Sequence, residues 1–453
     1  MLDEVDGLSV LKRNERLNPS QVLLLGFVAI ILIGTFLLML PAASATGRSV
    51  GFLDALFTAT SATCVTGLTA VDIGSTFSRF GQVVILTLIQ IGGLGFMTFA
   101  VLIFLILGRK ISFQQRLYIQ QSFNQQAVEG VVRLALYVAL IAFSVEAVGA
   151  AVLFLHWYPE MGLEALFFAI FHAVSAFNNA GMSLWSDSLM QFVGDPVVNL
   201  TISMLVILGG LGFIVIVDVW QHRRWKKLSL HSKLVLLTSS GLLVAGVLLI
   251  FFIEWFNPQT NETLTLSERF WSAYFQSVTA RSAGFNTLDI GAMLPTSQLL
   301  IILLMFIGAS PGSTGGGIKT TTFALLYVTA YSVVRGRREV AVMQRRISQE
   351  QIFRALAMVM IGMTMVILVT VVLSFTERER TDNFLEVLFE ATSAFSTCGL
   401  SMGLTPELSP VGKVIITLTM VAGRVGPLTV AYALAQMQRK ESYRYPEEKV
   451  LIG

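Results

Sequence analysis

The sequence predicts an all-α polytopic membrane protein made of four copies of one unit, in a pseudo-fourfold arrangement around a common axis. Of its 453 residues, 54% are hydrophobic and 13% are charged, with a mean hydropathy of +0.73. Soluble domains carry about 25% charged residues. Four stretches rich in small and hydroxyl residues each end on a glycine, and these glycines are 114, 103 and 115 residues apart: Gly67, Gly181, Gly284 and Gly399. A repeat of this length suggests symmetry about something central.

Each unit reads as an apolar helix, a short apolar run, a small-residue turn and a second apolar helix. A spanning helix needs about 20 apolar residues. The predicted first helices are 22–40, 132–157, 234–256 and 352–375, and the predicted second helices are 81–107, 197–219, 298–334 and 414–437. The short runs between them, such as 163–171 and 384–389, are too short to span and predict re-entrant half-helices. The result is eight spanning helices and four re-entrant loops.

The distribution of Lys and Arg predicts how the units face the membrane. The termini and the loops of one predicted side carry 21 of the 31 basic residues, while the opposite loops carry six. Because cytoplasmic loops are enriched in Lys and Arg, we expect a plasma-membrane protein with both termini cytoplasmic and all four re-entrant loops open to the outside. The predicted segments are a cytoplasmic N-terminus 1–20, repeat 1 at 21–108, repeat 2 at 109–220, repeat 3 at 221–335, repeat 4 at 336–438 and a cytoplasmic tail 439–453.

The four glycine-ended turns are the predicted functional elements. Irregular backbone at membrane depth is tolerated only where it is buried in protein or lines a water-filled cavity. Four such turns on one side can meet only around a common axis, where their carbonyl oxygens would form rings that replace the hydration shell of a monovalent cation such as K⁺. Glycine permits the required backbone angles, and the half-helices add the negative ends of their dipoles. No carboxylate lies in the turns, which argues against Ca²⁺. Four close-packing turns in an inert bundle are the alternative, but four turns in register favour a pore.

The turns resemble those of the Trk/Ktr/HKT superfamily of K⁺ transporters, and most closely its Ktr membrane subunits, over nearly the whole chain. The matching motifs are Ala62-Thr-Cys-Val-Thr-Gly-Leu68, Ser175-Ala-Phe-Asn-Asn-Ala-Gly181, Thr279-Ala-Arg-Ser-Ala-Gly-Phe-Asn286 and Ser393-Ala-Phe-Ser-Thr-Cys-Gly-Leu400. The resemblance implies that the four glycines mark a selectivity filter binding K⁺ at backbone carbonyls. The other filter positions it implies are Thr63, Cys64, Val65, Thr66, Asn178, Asn179, Ala180, Arg281, Ser282, Ala283, Ser396, Thr397 and Cys398. Gly67 argues against the Na⁺ preference of eukaryotic relatives that carry serine there.

The second helix of repeat 3 is interrupted by Gly308-Ala-Ser-Pro-Gly-Ser-Thr-Gly-Gly-Gly-Ile-Lys-Thr320. Proline and repeated glycine are incompatible with a regular helix interior. A nucleotide-binding loop needs glycine directly before the lysine, but Ile318 intervenes. A break that allows close helix packing is a further alternative. The resemblance implies instead an intramembrane gating loop, 308–319, with the gate at Ser310, Pro311, Gly312, Ser313, Thr314, Gly315, Gly316, Gly317 and Lys319.

One arginine lies within the second predicted helix of repeat 4. Repeats 1 and 2 read Gly-Gly-Leu-Gly at 92–95 and 209–212, and repeat 4 reads Gly-Arg-Val-Gly at 423–426. A charge inside a span is costly and usually functional, and Arg424 is too far from either end of its predicted span to snorkel to the interface. The resemblance implies that Arg424 belongs to the gate, faces the cavity near the gating loop and obstructs cation flow.

The predicted function is K⁺ uptake through a channel-like filter, without enzymatic activity. The resemblance implies a homodimer, Na⁺ as an activator or co-transported ion, and a cytosolic ring of RCK-type nucleotide-binding regulatory subunits. Membrane lipid surrounds such a protein, and we expect no covalently bound cofactor and no nucleic-acid partner.

Two other classes of protein fit the sequence less well than a K⁺ pore. A secondary transporter that works by alternating access fits the hydropathy but not four repeats of one orientation, since many such transporters use inverted repeats. A membrane enzyme would need a cluster of catalytic side chains, but the four histidines are scattered: His156, His172, His222 and His231.

Overall fold

The structure is a computed structural model that describes residues 19–95, 98–99, 101, 131–262, 264–337 and 339–426. Four long helices in it are apolar enough to cross a membrane, each at the start of one repeat. These long helices are Pro19–Met39, Val131–Met161, Leu230–Glu254 and Gln349–Thr376. Their outer faces expose large apolar side chains, such as Leu155 at 72% and Phe375 at 73%, which suits a lipid environment. The four predicted first spans are therefore confirmed.

A short helix follows each long helix, as the sequence predicts for the re-entrant segments. The short helices are Phe52–Cys64, Glu164–Phe177, Leu266–Thr279 and Phe384–Ser396. Two of their starts are capped by side chains: in repeat 3 the Thr265 hydroxyl accepts from the Glu268 amide in a capping box, and in repeat 4 the Asn383 side chain accepts from the Leu385 amide. The C-terminal halves of the four helices are buried. Each short helix therefore begins near the surface and ends inside the protein.

The third element of each repeat is an inner helix: Arg79–Leu94, Pro196–Leu211, Pro295–Phe306 and Pro410–Val425. Ser78, Asp195 and Ser409 cap three of them, and proline begins three. Three end at a glycine of nearly identical conformation: Gly95 (φ 80°, ψ 134°), Gly212 (φ 92°, ψ 132°) and Gly426 (φ 94°, ψ 133°). These dihedrals favour glycine and stop the helix.

The prediction of one continuous helix at 197–219 is wrong. The inner helix of repeat 2 stops at Gly212, and the chain continues as Phe213–His222 at an angle of 94°. In repeats 1 and 4 the inner helices end at Leu94 and Val425, and most of the remainder of the predicted spans 81–107 and 414–437 lies outside the described residues. In repeat 3 the interruption is confirmed, since residues 307–319 separate Pro295–Phe306 from the helix Thr320–Val334.

Small elements complete the described chain. Single-turn helices occur at Ile73–Thr76, Pro258–Asn261 and Leu404–Glu407, and 3₁₀ turns at Pro41–Ala43, Met190–Phe192 and Trp225–Lys227. The strands Ala341–Val342 and Arg345–Arg346 form an antiparallel hairpin between repeats 3 and 4. The predicted terminal segments 1–20 and 439–453 lie outside the described residues, apart from the first residues of the first helix.

Four apolar clusters join the repeats to one another. Repeats 1 and 2 share a cluster containing Phe77 and Phe171, and repeats 2 and 3 share one containing Phe177 and Phe275. Repeats 3 and 4 meet around Ile301, Met305 and Phe389. Repeats 4 and 1 meet around Ile416, Met420 and Phe57. Every repeat therefore packs against the next, and the last packs against the first.

Candidate functional site

The four turns after the short helices share one backbone conformation. In each turn a non-glycine residue takes a left-handed conformation, and the glycine two positions later also has a positive φ. The left-handed residues are Val65 (φ 56°), Asn179 (φ 58°), Ser282 (φ 63°) and Thr397 (φ 46°). The glycines are Gly67 (φ 96°), Gly181 (φ 65°), Gly284 (φ 84°) and Gly399 (φ 92°). A positive φ is uncommon outside glycine, above all for β-branched residues such as Val65 and Thr397. Such strain persists only where the surroundings impose it.

The four glycines contact one another in a closed cycle. A Cβ atom added to Gly67 would collide with the carbonyl oxygen of Ala180 in repeat 2, and one added to Gly181 would collide with that of Ala283 in repeat 3. A Cβ at Gly284 would lie 2.6 Å from the carbonyl oxygen of Cys398 in repeat 4, and one at Gly399 would collide with that of Thr66 in repeat 1. Only glycine fits these positions, because backbone from the next repeat fills the space.

The carbonyl oxygens of the turns are left free. No described residue donates a hydrogen bond to the carbonyl of the left-handed residue, of the glycine, or of the residue between them, in any of the four turns. The turns are held instead through amides and hydroxyls: the Gly67 amide donates to Ser61 Oγ at 3.1 Å, and the Gly399 amide donates to Ser393 Oγ at 3.0 Å. Buried carbonyls normally have partners, so this concentration of free acceptors suits a cation.

The interrupted segment of repeat 3 lies against these turns. A Cβ at Gly315 would be 3.1 Å from the Cβ of Ser282, and one at Gly317 would be 3.2 Å from the Cβ of Ser396. A Cβ at Gly316 would collide with the hydroxyl of Thr397. The loop 308–319 is therefore packed beneath the turns of repeats 3 and 4, and glycine makes that approach possible.

Hydrogen bonds tie the same loop to the inner helix of repeat 2. The Ser310 amide donates to the Gly210 carbonyl at 3.0 Å, and the Thr314 amide donates to the Gly209 carbonyl at 3.2 Å. Within the loop, Ser310 Oγ and Thr320 Oγ1 are 2.9 Å apart. The Ala309 amide donates to the Gly316 carbonyl, and the Ala309 carbonyl accepts from the Thr320 amide, each at 3.3 Å. These two bonds hold the ends of the loop together.

Two cationic side chains bind consecutive carbonyls of the loop. Lys319 Nζ donates to the Gly315 carbonyl at 2.7 Å. The Arg424 guanidinium donates to the Thr314 carbonyl and, on its other side, to the carbonyls of Gly92 and Gly93 in the inner helix of repeat 1. Arg424 thus links repeat 4, the loop of repeat 3 and repeat 1. Arg424 therefore lies beside the loop, and its part in a gate stays a prediction.

The remaining predicted site residues occupy two kinds of position. Thr63, Cys64 and Ser396 belong to the last turns of their short helices, and Asn178 caps the second short helix. The Arg281 side chain points away from the glycines and donates to Ser239 O and Oγ in the long helix of repeat 3. All predicted turn and loop positions are thus near one another, but Arg281 contributes only its backbone to the turn.

Sequence reasoning missed three polar side chains that brace the turns. Glu146 accepts hydrogen bonds from Gln90 Nε2 at 2.9 Å and from Asn178 Nδ2 at 3.0 Å, although the three residues are far apart in sequence. His172 Nε2 lies 3.1 Å from Ser183 Oγ. Glu390 accepts from Ser401 Oγ at 2.9 Å and from the Thr405 hydroxyl. His172 and Glu390 occupy the same position relative to their glycines, a signal that aligning the repeats by glycine could have revealed.

The side chains beneath the glycines include unsatisfied polar atoms. Asn179 Oδ1 and Nδ2, Thr397 Oγ1 and Thr66 Oγ1 are buried without a partner among the described residues. Buried polar groups of this kind are usually served by water. Among the described residues no cluster of three or more His, Cys, Asp or Glu could hold a metal ion. The described arrangement therefore offers neutral oxygen ligands to a cation.

Comparison with known proteins identifies the relatives of this chain. The TrkH family model, described as a cation transport protein, matches residues 16–445. The Ktr system potassium uptake protein B of Bacillus subtilis (strain 168) is 46% identical over 439 residues, which cover 97% of each chain. The potassium/sodium uptake protein NtpJ of Enterococcus hirae is 40% identical over 98% of this chain and 100% of its own length.

The fold also matches a solved structure. The crystal structure of the potassium transporter TrkH from Vibrio parahaemolyticus aligns with a TM-score of 0.73, over 93% of this chain and 86% of that chain, at 18% identity. That level of identity supports the fold alone. Together with the family match, it confirms the resemblance that the four glycine turns predicted. The chain belongs to the TrkH family of cation transport proteins.

Proposed function

We propose that this protein takes up K⁺ across the plasma membrane through a filter formed by the four glycine turns. The observation that supports this proposal is the closed cycle of contacts among the four glycines, together with the carbonyls beside them that accept no hydrogen bond from a described residue. Each turn supplies three carbonyl oxygens that accept no hydrogen bond from any described residue, and rings of such carbonyls can replace the water around K⁺. The names of the relatives, potassium uptake proteins and a potassium/sodium uptake protein, favour the same ion.

The proposed architecture has eight spans around one pore with pseudo-fourfold symmetry. The four long helices are the outer spans, and the inner helices with their continuations are the other four. The cyclic order of the apolar clusters supports this arrangement. The repeat boundaries 21–108, 109–220, 221–335 and 336–438 remain the proposed divisions, with both termini cytoplasmic.

The free carbonyls have a simple electrostatic role in this proposal. A dehydrated cation is costly to bury, so each lost water oxygen must be replaced by a fixed dipole. The short helices contribute as well, because each directs its C-terminal, partly negative end toward its turn. No carboxylate lies in the turns, which favours a monovalent ion that passes through over one that is retained.

The proposed gate is the loop 308–319 with Arg424. The loop lies against the turns, and Arg424 and Lys319 hold its carbonyls. Moving the loop would break its hydrogen bonds to the Gly209 and Gly210 carbonyls and the bond that the Thr314 carbonyl accepts from Arg424. None of these bonds involves a carboxylate. A gate held in this way can open without separating a buried ion pair, which would be expensive.

We also propose a homodimer, Na⁺ as an activator or co-transported ion, and regulation by a cytosolic ring of RCK-type nucleotide-binding subunits. The relatives are named as uptake proteins of Ktr systems, which supports a multi-subunit assembly. One relative is named a potassium/sodium uptake protein, which supports a part for Na⁺.

The test is ion uptake in a host that lacks its own K⁺ uptake systems. We expect the chain to restore growth at low external K⁺ and to carry K⁺ in preference to Na⁺, with uptake rising when Na⁺ is added. A matched control is Gly241→Ser, because a Cβ at Gly241 in the third long helix meets no atom within 4 Å. Na⁺ uptake equal to K⁺ uptake, in cells that hold inserted protein, would refute a K⁺-selective filter.

A further inference from the structure

A cavity of about 280 Å³ lies beside the third turn, outside the cycle of glycines. Its walls come from the inner helix of repeat 2, the long helix of repeat 3 and the end of the third short helix. Most of the lining is apolar, including Val206, Leu243 and Val278. The polar side chains in the lining are Ser239, Ser240 and Arg281. The cavity is therefore an apolar pocket with one cation in its wall.

Arg281 has no anionic partner in the part of the chain that the structure describes. Its guanidinium donates to Ser239 O at 3.1 Å and to Ser239 Oγ at 3.0 Å, both uncharged acceptors. Its Nε–H is buried without an acceptor in the described part of the chain. None of the ion pairs among the described residues includes Arg281. A buried charge without a partner is costly, and the adjoining cavity is where an anion would fit.

The cavity extends between the outer surface and the loop. On the outside it reaches Ser240 and Val244 on the long helix, where Val244 is 53% exposed. That surface is apolar, with Leu248 51% exposed one turn further along. On the inside the cavity reaches Gly210 and Ala309, at the start of the loop. A molecule that enters from the lipid side can therefore reach Arg281 without crossing a polar layer.

We propose that this cavity binds a single-chain anionic amphiphile, a long-chain fatty acid, with its carboxylate on Arg281 and its acyl chain leaving past Val244. A carboxylate matches the planar fork of a guanidinium and can accept two parallel hydrogen bonds. The apolar walls then bury the first part of the chain. A phospholipid fits less well, because its phosphodiester headgroup and two chains are too bulky for the cavity.

The carboxylate would sit close to the moving parts of the proposed gate. Arg281 directly precedes the left-handed Ser282, and Gly210 accepts the hydrogen bond from the Ser310 amide. The bound headgroup would therefore lie in the same cavity as Gly210 and Ala309, at the segment that anchors the loop. Binding itself does not depend on the proposed transport function, so it can be tested separately.

The experiment measures binding of radiolabelled oleate to the purified full-length protein in detergent. Val244→Trp fills the mouth of the cavity, and Leu248→Trp is the matched control, because Leu248 is equally exposed but does not line the cavity. We expect saturable binding of one oleate per chain, weakened at least tenfold in Val244→Trp and in Arg281→Gln, and unchanged in Leu248→Trp. Oleyl alcohol, which lacks the charge, should compete at least tenfold less well than oleate.

Three results would overturn the proposal. The first is equal oleate binding by the parent and Val244→Trp. The second is equal competition by oleyl alcohol, which would leave Arg281 without a role. The third is competition by phosphatidylglycerol at the same concentration as oleate, which would assign the cavity to bilayer phospholipid. Val244→Trp keeps the test decisive if Arg281→Gln does not fold.

Discussion

Glycine at the end of each turn serves two separate needs. Each glycine has a positive φ, and each also has a backbone carbonyl from the next repeat where a Cβ would lie. The two needs can be separated, because Gly403 has φ 109° but no atom within 4 Å of a Cβ position. Substitution at Gly403 therefore reports the cost of the backbone conformation alone.

Gly284→Ser is expected to lower the preference for K⁺ over Na⁺ by about tenfold or more and to raise the apparent KM for K⁺. A left-handed conformation costs a non-glycine residue about 1–2 kcal/mol, and the new Cβ would be 2.6 Å from the Cys398 carbonyl oxygen, so that oxygen must move. Uptake of K⁺ and Na⁺ by the variant measures the effect, and Gly403→Ser is the control. If serine at each of the four glycines leaves both uptake rates unchanged, the turns are not the filter.

Arg424→Ala is expected to raise K⁺ flux. Two unit charges about 6 Å apart at an effective dielectric constant of about 20 repel by about 3 kcal/mol, so a fixed guanidinium raises the energy of a passing cation. The same side chain also bridges the loop and repeat 1 through the carbonyls of Thr314 and Gly92. Its removal would therefore lower an electrostatic barrier and release a contact.

Lysine and glutamine at position 424 separate these two effects. Lysine keeps the charge but lacks the fork that reaches two carbonyls in different repeats, whereas glutamine loses the charge and keeps a donor. Initial rates of K⁺ uptake, normalised to inserted protein, decide between them. Slow uptake by Arg424→Lys with fast uptake by Arg424→Gln indicates charge, and equal rates in the two variants would contradict an electrostatic role.

At the scale of elements, the sequence predicted the short helices and the interrupted segment well. Both are marked by local chemistry: hydroxyl-rich turns that end on glycine, and proline with several glycines at 308–317. The breaks at Gly95, Gly212 and Gly426 were not predicted. Each break lies in a cluster of two or three glycines. Such clusters are also compatible with close helix packing, and only the positive φ values reveal the break.

Contacts between residues far apart in the chain could not be predicted from the sequence either. Glu146, Gln90 and Asn178 lie in three different helices, and no spacing rule connects them. The placement of Arg281 on a side cavity was missed because its neighbour Ser239 lies in another helix. Local patterns therefore predicted the helices and the turns. The hydrogen bonds that support the turns depend on packing between helices, which local patterns do not specify.

Deleting 310–317 is expected to raise K⁺ flux and to leave K⁺ selectivity largely intact. The loop and the glycine cycle are separate elements, and the ends of the deletion are close together, since the Thr320 amide donates to the Ala309 carbonyl at 3.3 Å. Flux and the K⁺ to Na⁺ ratio are measured for the deletion and for Thr314→Val, which removes only the hydroxyl bond to the Phe177 carbonyl. An inserted deletion variant that conducts less than the parent would count against a gating role.

At the scale of the whole molecule, the repeats form one closed assembly. Each apolar cluster joins two successive repeats, and Lys413 in repeat 4 pairs with Asp54 in repeat 1 at 2.6 Å. In such a closed arrangement, a surface for the proposed regulator would lie at the ends of the helices. The basic loops 223–233 and 335–354 are at such ends, but their charge is also explained by topology alone.

The regulator in our proposal is a second protein, and the predicted C-terminal tail is the segment on which its docking can be tested. The tail 443–453 lies outside the described residues. Its sequence contains Tyr443, Tyr445 and charges of both signs, and we expect insertion into the membrane not to depend on it. Truncation after Arg439 is therefore expected to leave the protein inserted in the membrane. When the truncated protein is purified from the native membrane, several-fold less of a cytosolic nucleotide-binding partner should be recovered with it.

A variant of the original length, in which a Gly/Ser linker replaces 440–453, serves as the control. It separates the effect of the tail's sequence from the effect of its length. Equal recovery of the partner by the parent, the truncation and the linker variant would show that docking does not involve the tail.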